Sequence, residues 1–254
     1  MASESIAGEM SLWDHLTELR SRLVKCAIAL ALTTIVAWMF YRHIFEFLIG
    51  PLEKSAPNDA IAGGSGKLLT LDPTEAFGVR IKISTYAGFA FAMPVLLWQL
   101  WKFIAPGLYS NEKKWAAWFV AAGTLLFFMG AGIAFWTMPK ALDFLQEIGG
   151  DYFIEAYSPA KYLRLITYMM LAFGLGFEFP ILLVFLQMAG VLHVDQLRQF
   201  RRYAIVGIAV LVAVVTPSAD PISMLALTIP MCLFYEAAIV FGRLRERSQR
   251  RSAA

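Results

Sequence analysis

Few residues of this chain combine reactive chemistry with a telling position, and the first is Glu18 in HLTELRSRL, His15 to Leu23, set between Arg20 and Arg22. Glu18 and Arg22 stand at i and i+4 in the favourable order, where a surface pair contributes only about 0.3–0.5 kcal/mol. A local helix pair and a binding acid are therefore both open readings. A second acid, Glu112, lies in FIAPGLYSNEKKW, Phe103 to Trp115, beside Lys113 and Lys114. A third, Glu178, sits in LAFGLGFEFP, inside an apolar run. Enzymatic chemistry finds no foothold: HExxH, GxSxG and a phosphate loop are absent, and His15, His43 and His193 are scattered. Cys26 and Cys232 lie singly in apolar stretches and read as small buried hydrophobes. No catalytic residue, metal site or cofactor is expected, and no nucleic-acid partner.

The elements that position these acids follow from composition. With 59% hydrophobic and 16% charged residues in 254, the chain exceeds the roughly 45–50% apolar content of soluble domains and reads as an all-α integral membrane protein. Runs long enough to span, about 20 residues, are 23–40, 76–100, 115–138, 162–191, 203–216 and 222–241. The fifth, between Arg202 and Pro217, has 14 residues, about 21 Å at 1.5 Å each. The turn signal TPSADP separates it from the sixth. Six spans, the last two the shorter and weaker, make one polytopic membrane domain over 1–254 with both termini on one side. That side carries 14 of the 22 lysines and arginines and seven acids. The opposite side carries the other 8, with ten acids. The positive-inside rule makes the termini cytoplasmic. The opening residues lack a cleavable signal, so the N-terminus is expected to be mature.

Ser11 and Asp14 have the spacing of a capping box, which predicts a helix from Leu12. Leu12, Leu16, Leu19 and Leu23 form an apolar stripe along it, expected to lie on the cytoplasmic interface or on neighbouring loops. Within the fourth run, an ionised Glu178 would cost at least about 2.5–3.5 kcal/mol at the bilayer centre. It is expected to be protonated, paired or facing water. Leu171, Gly174 and Glu178 share one face, and the glycine there would admit a close helix. Glu236, nearer the cytoplasmic end of the sixth run, reads as structural.

Taken in order, HLTELRSRL, FIAPGLYSNEKKW, LAFGLGFEFP, TPSADP and PMCLFYE resemble the TatC family, the multi-spanning receptor subunit of the twin-arginine protein translocase. The likeness runs from about Leu12 to Arg243. It implies a receptor for twin-arginine signal peptides, a core subunit for exporting folded precursor proteins across the bacterial cytoplasmic (inner) membrane. Paired guanidiniums are best held by carboxylates through bidentate bonds. The resemblance assigns that task to Glu18 and Glu112, with Arg20 orienting the acids and Phe103 in the same site. It further implies a polar site for single-span TatA and TatB type subunits at Glu178, Thr216 and Asp220. A threonine at the end of the fifth run alternatively bonds its own helix carbonyl. Between Thr216 and Asp220 this chain carries Ser218 and Ala219, where family members vary in length. Pro51, Pro94 and Pro139 fit the family's breaks in loops and spans, and Pro94 is expected to kink the second span. Membrane lipids and further copies of the chain complete the expected partners.

A secondary transporter of a small solute is the alternative, since intramembrane acids also carry protons and ions. Its mark, an internal repeat with paired interrupted helices, is not visible. The topology is open to a direct measurement: cysteines placed at Ser110 and Ser248 should be labelled only from the cytoplasmic side, and one at Ser65 only from outside. Labelling of Ser65 from the cytoplasm in intact vesicles would overturn the six-span arrangement.

Overall fold

The computed structural model describes residues 12–55, 74–104, 116–150, 158–216 and 220–252. These form the helices α1 (Leu12–Met39), α2 (Tyr41–Ser55), α3 (Glu75–Ile104), α4 (Ala116–Gly149), α5 (Pro159–Gly176), α6 (Phe179–Met188), α7 (Val194–Gln199), α8 (Arg201–Val215) and α9 (Pro221–Ser252). Among the described residues, five segments are long and apolar enough to cross a membrane: Leu16–Met39, Glu75–Phe103, Ala116–Gly149, Ala160–Met188 and Pro221–Arg247. They correspond to the first four and the last of the apolar runs. The remaining run is α8, at 15 residues, about 22 Å long.

Several local expectations change. The helix expected from Leu12 does start there and runs without a break into the first apolar run as α1; its Leu16, Leu19 and Leu23 are exposed and do not pack on neighbouring loops among the described residues. The loop after the first run opens with α2, whose Tyr162-facing side is buried through Leu48 and Leu52. Pro51, Pro94 and Pro139 lie within α2, α3 and α4 instead of ending them, since surrounding helices tolerate one lost backbone bond. The sixth span is not short as a helix: α9 has 32 residues, because its arginine-rich end continues the helix beyond the apolar run.

The fourth run is broken in two. Pro180 has no N–H to offer the Gly176 carbonyl, so the ladder cannot pass. Phe177 still bonds Phe173 at 2.9 Å, Glu178 closes a tighter turn onto Leu175 at 3.1 Å, and the next helix starts with Leu182 on Glu178 at 3.1 Å. Glu178 thus occupies the N-cap position of α6 in a helical backbone conformation, with no side-chain cap bond.

Small residues set the helix spacing, as they must where lipid supplies no hydrophobic drive for association. Thr33 Oγ1 donates to the Gly88 carbonyl at 2.7 Å, joining α1 to α3. On α4, a Cβ at Gly130 would meet the Phe173 carbonyl oxygen at 2.5 Å, and one at Gly174 of α5 would meet the Phe127 ring at 2.7 Å. The end of the bundle marked by Tyr162 is tied by its hydroxyl to the Leu48 carbonyl at 2.8 Å, and by Ser55 to the Pro139 carbonyl at 3.1 Å. At the other end, Trp101 stacks on Phe119 at 4.7 Å, and Gln187 Nε2 donates to the Ala238 carbonyl at 3.1 Å. The start of α1 and the far part of α9 both lie at this end, beside α3 and α6 respectively.

The obstruction at Gly130 is backbone and cannot swing away. Gly130→Ala should therefore lower stability by about 1–3 kcal/mol, read as thermal unfolding in detergent. Gly132→Ala, whose Cβ meets nothing within 4 Å, should leave the transition unchanged or slightly higher. Equal behaviour of the two variants would show that the α4–α5 approach is not limiting.

Candidate functional site

At the end of the bundle where α1 begins, Glu18 is held by its own helix. Arg22 Nε donates to Glu18 Oε1 at 3.0 Å and a second guanidinium nitrogen joins the same oxygen. Arg22 Nη1 reaches Gln99 Oε1 of α3 at 3.5 Å. The pair is half-buried, with 22% of the Glu18 side chain and 17% of Arg22 exposed. Both bonds end on Oε1, and Oε2 makes none among the described residues. The expected i, i+4 pair therefore exists, but it is a wedge between two helices rather than a solvated surface pair. Arg22 orients the acid; Arg20 is exposed and makes no ion pair among the described residues.

Phe103 lies one turn beyond Gln99 on α3, so the two share a face. The α1–α3 seam consequently brings Glu18 and Phe103 to the same end of the bundle. Glu112 and the rest of its loop, 105–115, lie outside the described residues, as do Ser11 and the stretch Pro217 to Ala219. Gln99 escaped sequence reasoning, because its partner is 77 positions away and no periodicity links them.

Glu178 marks a different place. It lines an apolar hollow of about 750 Å³ together with Tyr86, Leu97, Trp101, Val212 and Met231. Its Oε1 is buried without a hydrogen-bond partner. A Cβ on Gly123 of α4 would come within 2.9 Å of Oε2 and 2.8 Å of the end of Leu97, so the carboxyl packs directly against this glycine. Gly123 stands seven residues from the start of α4, about 10 Å along the helix. The carboxyl is thus in the half of the bundle nearer Glu18. The expected glycine beside the acid, Gly174, serves another contact, against Phe127.

Thr216 and Asp220 do not join Glu178. Thr216 is buried at the end of α8, and its hydroxyl donates to the Val212 carbonyl at 2.8 Å. Asp220, 1% exposed, accepts the Ser223 N–H at 2.6 Å at the start of α9, the bonding of an N-cap. Glu178 lies nearer the level of Leu227 and Met231, which pack on Gly176, about two to three turns or roughly 10–16 Å along α9 from Asp220. Glu236 is paired with Arg201 across the α8–α9 contact. Among the described residues no group of three or more His, Cys, Asp or Glu side chains could hold a metal ion.

These features meet known proteins over nearly the whole chain. Residues 14–230 match the family described as Sec-independent protein translocase protein (TatC). The Sec-independent protein translocase protein TatC of Aquifex aeolicus is 38% identical over 244 residues, covering 95% of this chain and 98% of that protein. Those of Frankia casuarinae and Corynebacterium kroppenstedtii are 38% and 37% identical, and this chain spans 67% and 64% of their lengths. Two crystal structures of the twin-arginine translocase receptor TatC, one in the detergent DDM, superpose with TM-scores of 0.73 and 0.76 at 38% identity. They cover 91% and 90% of this chain, and 98% and 99% of their own chains are matched. The chain is a multi-pass membrane protein that belongs to the TatC family of protein translocase subunits, which are transport components rather than enzymes.

Proposed function

We propose that this chain is the receptor for twin-arginine signal peptides in a translocase that exports folded precursors across the bacterial inner membrane. It crosses the bilayer six times as one membrane domain, both termini cytoplasmic, with α8 as the short fifth crossing. The observation that carries the receptor reading is the Glu18 carboxylate, fixed by Arg22 on one oxygen and left with the other for an incoming guanidinium. Phe103 offers apolar surface beside it, and Glu112, in the loop that follows α3, supplies the second acid. Arg20 cannot bind an arginine and contributes local charge beside the site, the orienting role falling to Arg22. The family membership removes the small-solute transporter as a competing reading.

Glu18→Gln and Glu112→Gln delete charge while keeping size. A hydrogen bond to a charged group contributes about 1.5–3 kcal/mol against about 1 for a neutral one, so each change should weaken signal binding by about tenfold. The loss should shrink when the signal's paired arginines are lysines, because an ammonium gains less from a bidentate partner. A titration over the four combinations of receptor and signal reads this directly. Strictly additive losses would return Glu18 to the local helix pair.

The hollow around Glu178, walled on one side by Leu211, Val212 and Val215 of α8, is proposed to receive single-span TatA and TatB type subunits, with Thr216 and Asp220 holding the end of α8 and the start of α9. Glu178→Ala should leave precursor capture intact while lowering subunit recruitment and transport several-fold, measured by crosslinking from α8. Glu178→Gln should retain part of both. A parallel fall in folded yield and precursor binding would instead mark the carboxyl as a satisfied core group.

A further inference from the structure

A polar hollow of about 500 Å³ opens where α7, α8 and α9 meet, lined by Asp195, Arg198, Gln199, Arg201, Glu236, Ile239 and Arg243. Neither site described above uses it. Helical spacing builds it: Glu236, Ile239 and Arg243 fall at i, i+3 and i+7 on one face of α9, opposite the α7–α8 junction that carries Arg198 and Arg201.

The charges are only partly matched. Arg201 is engaged by Glu236. Arg198 approaches Asp195 no closer than 3.9 Å, with 57% and 84% of the two side chains exposed. Arg243 makes no ion pair among the described residues. Two guanidiniums with unspent donors therefore face one hollow, alongside a third that is anchored. Planar forks of this kind match the oxygens of a phosphate group bidentately.

The depth of the hollow identifies the carrier of that phosphate. Arg201 and Arg202 directly precede the apolar run of α8 at Tyr203, and Arg243 follows Phe241, the last residue of the apolar run of α9. The hollow thus sits in the plane where two adjacent helices leave the hydrocarbon. Phe200 and Tyr203, 60% and 59% exposed at the same junction, are aromatic residues of the type that settles at headgroup level. Below them the side of α8 offers exposed Val206 and Val210 to acyl chains. A free anion would have no use for that apolar continuation.

We infer that the α7–α8–α9 hollow is a binding site for the phosphate headgroup of an anionic phospholipid, held by Arg198 and Arg243 beside the anchored Arg201. The site is independent of the signal-peptide reading, since neither Glu18 nor Glu178 takes part.

The test titrates phosphatidylglycerol, phosphatidylcholine and inorganic phosphate onto the delipidated full chain in detergent, with bound lipid counted by native mass spectrometry. Phosphatidylglycerol should bind in preference to phosphatidylcholine, and millimolar inorganic phosphate should not displace it. Arg198→Gln with Arg243→Gln should weaken that binding about tenfold or more, as expected for the loss of charged hydrogen bonds. Lys25→Gln with Arg247→Gln, the same charge change outside the hollow, should alter it little. Arg198→Lys with Arg243→Lys keeps the charge but not the forks and should lose several-fold; it carries the comparison if the Gln pair does not fold. Equal losses in the Gln pair and the Lys25/Arg247 pair, equal binding of the two lipids, or displacement by inorganic phosphate would each overturn the assignment.

Discussion

The close approach of α4 to α5 is the contact on which the interior depends. Gly130 lies directly against the Phe173 carbonyl, and Gly174 against the Phe127 ring. In a bilayer such contacts supply dispersion and shape rather than relief from water, so the glycines fix how near the two backbones can come. Once they are that near, the Pro180 break, about two turns past Phe173 and just beyond the end of α5, has a defined neighbour, and the Glu178 side chain turns toward Gly123 of the same α4. An acid that interrupts a spanning run is tolerable only where protein or a polar cavity shields it. The seam of small residues supplies that shield on one side, and the hollow remains on the other.

Charge is divided between the ends of the bundle by a related logic. Glu18, Arg22 and Gln99 link α1 to α3, Arg201 and Glu236 link α8 to α9, and Arg245 donates to the Gln187 carbonyl of α6 at 3.2 Å. Each long side chain connects neighbouring helices at or near the ends of their apolar stretches. The opposite end is tied mainly by side chains bonded to backbone, as in Tyr162 to Leu48, Arg80 to the Trp38 carbonyl at 3.5 Å and the Ala160 N–H to Glu75 at 3.1 Å. The arginine-rich end is consequently the one with guanidiniums and acids to spare for ligands.

Hydropathy alone located α1, α3, α4 and α9, because a run of 20 apolar residues has few other fates. The break between α5 and α6 was written in Pro180, yet the apolar residues around it gave an unbroken run. The helix α2 was missed for the opposite reason: its 15 residues mix Arg42, Glu46 and Glu53 with apolar side chains and contain Gly50 and Pro51, a pattern that reads as loop. Local pairs were legible, as Glu18 with Arg22 and Thr216 with its own helix carbonyl. Contacts set by helix register, Gln99 with Arg22 or Gly123 with Glu178, were not, since no short-range period encodes them.

The short α8 gives the hollow its one thin wall. As the proposed fifth crossing, α8 at about 22 Å would fall roughly 8 Å below a hydrocarbon core of about 30 Å, and at fractions of a kcal/mol per Å such a mismatch would cost on the order of a few kcal/mol. It cannot lengthen at its far end, where Pro217 follows Thr216 and buried Asp220 already caps α9. The near end is held by the Arg201–Glu236 pair. With both ends fixed, such a mismatch would be relieved by thinning of the surrounding bilayer or by a helix laid against α8. Its exposed Val206, Val210 and Val214 present an apolar side to either. The unpartnered Glu178 oxygen lies at the hollow that α8 borders, so a buried carboxyl oxygen without a hydrogen-bond partner sits behind the shortest of the apolar runs. A partner that covers α8 with a polar group at the right depth would satisfy both deficits at once, which neither lipid nor an apolar helix can do.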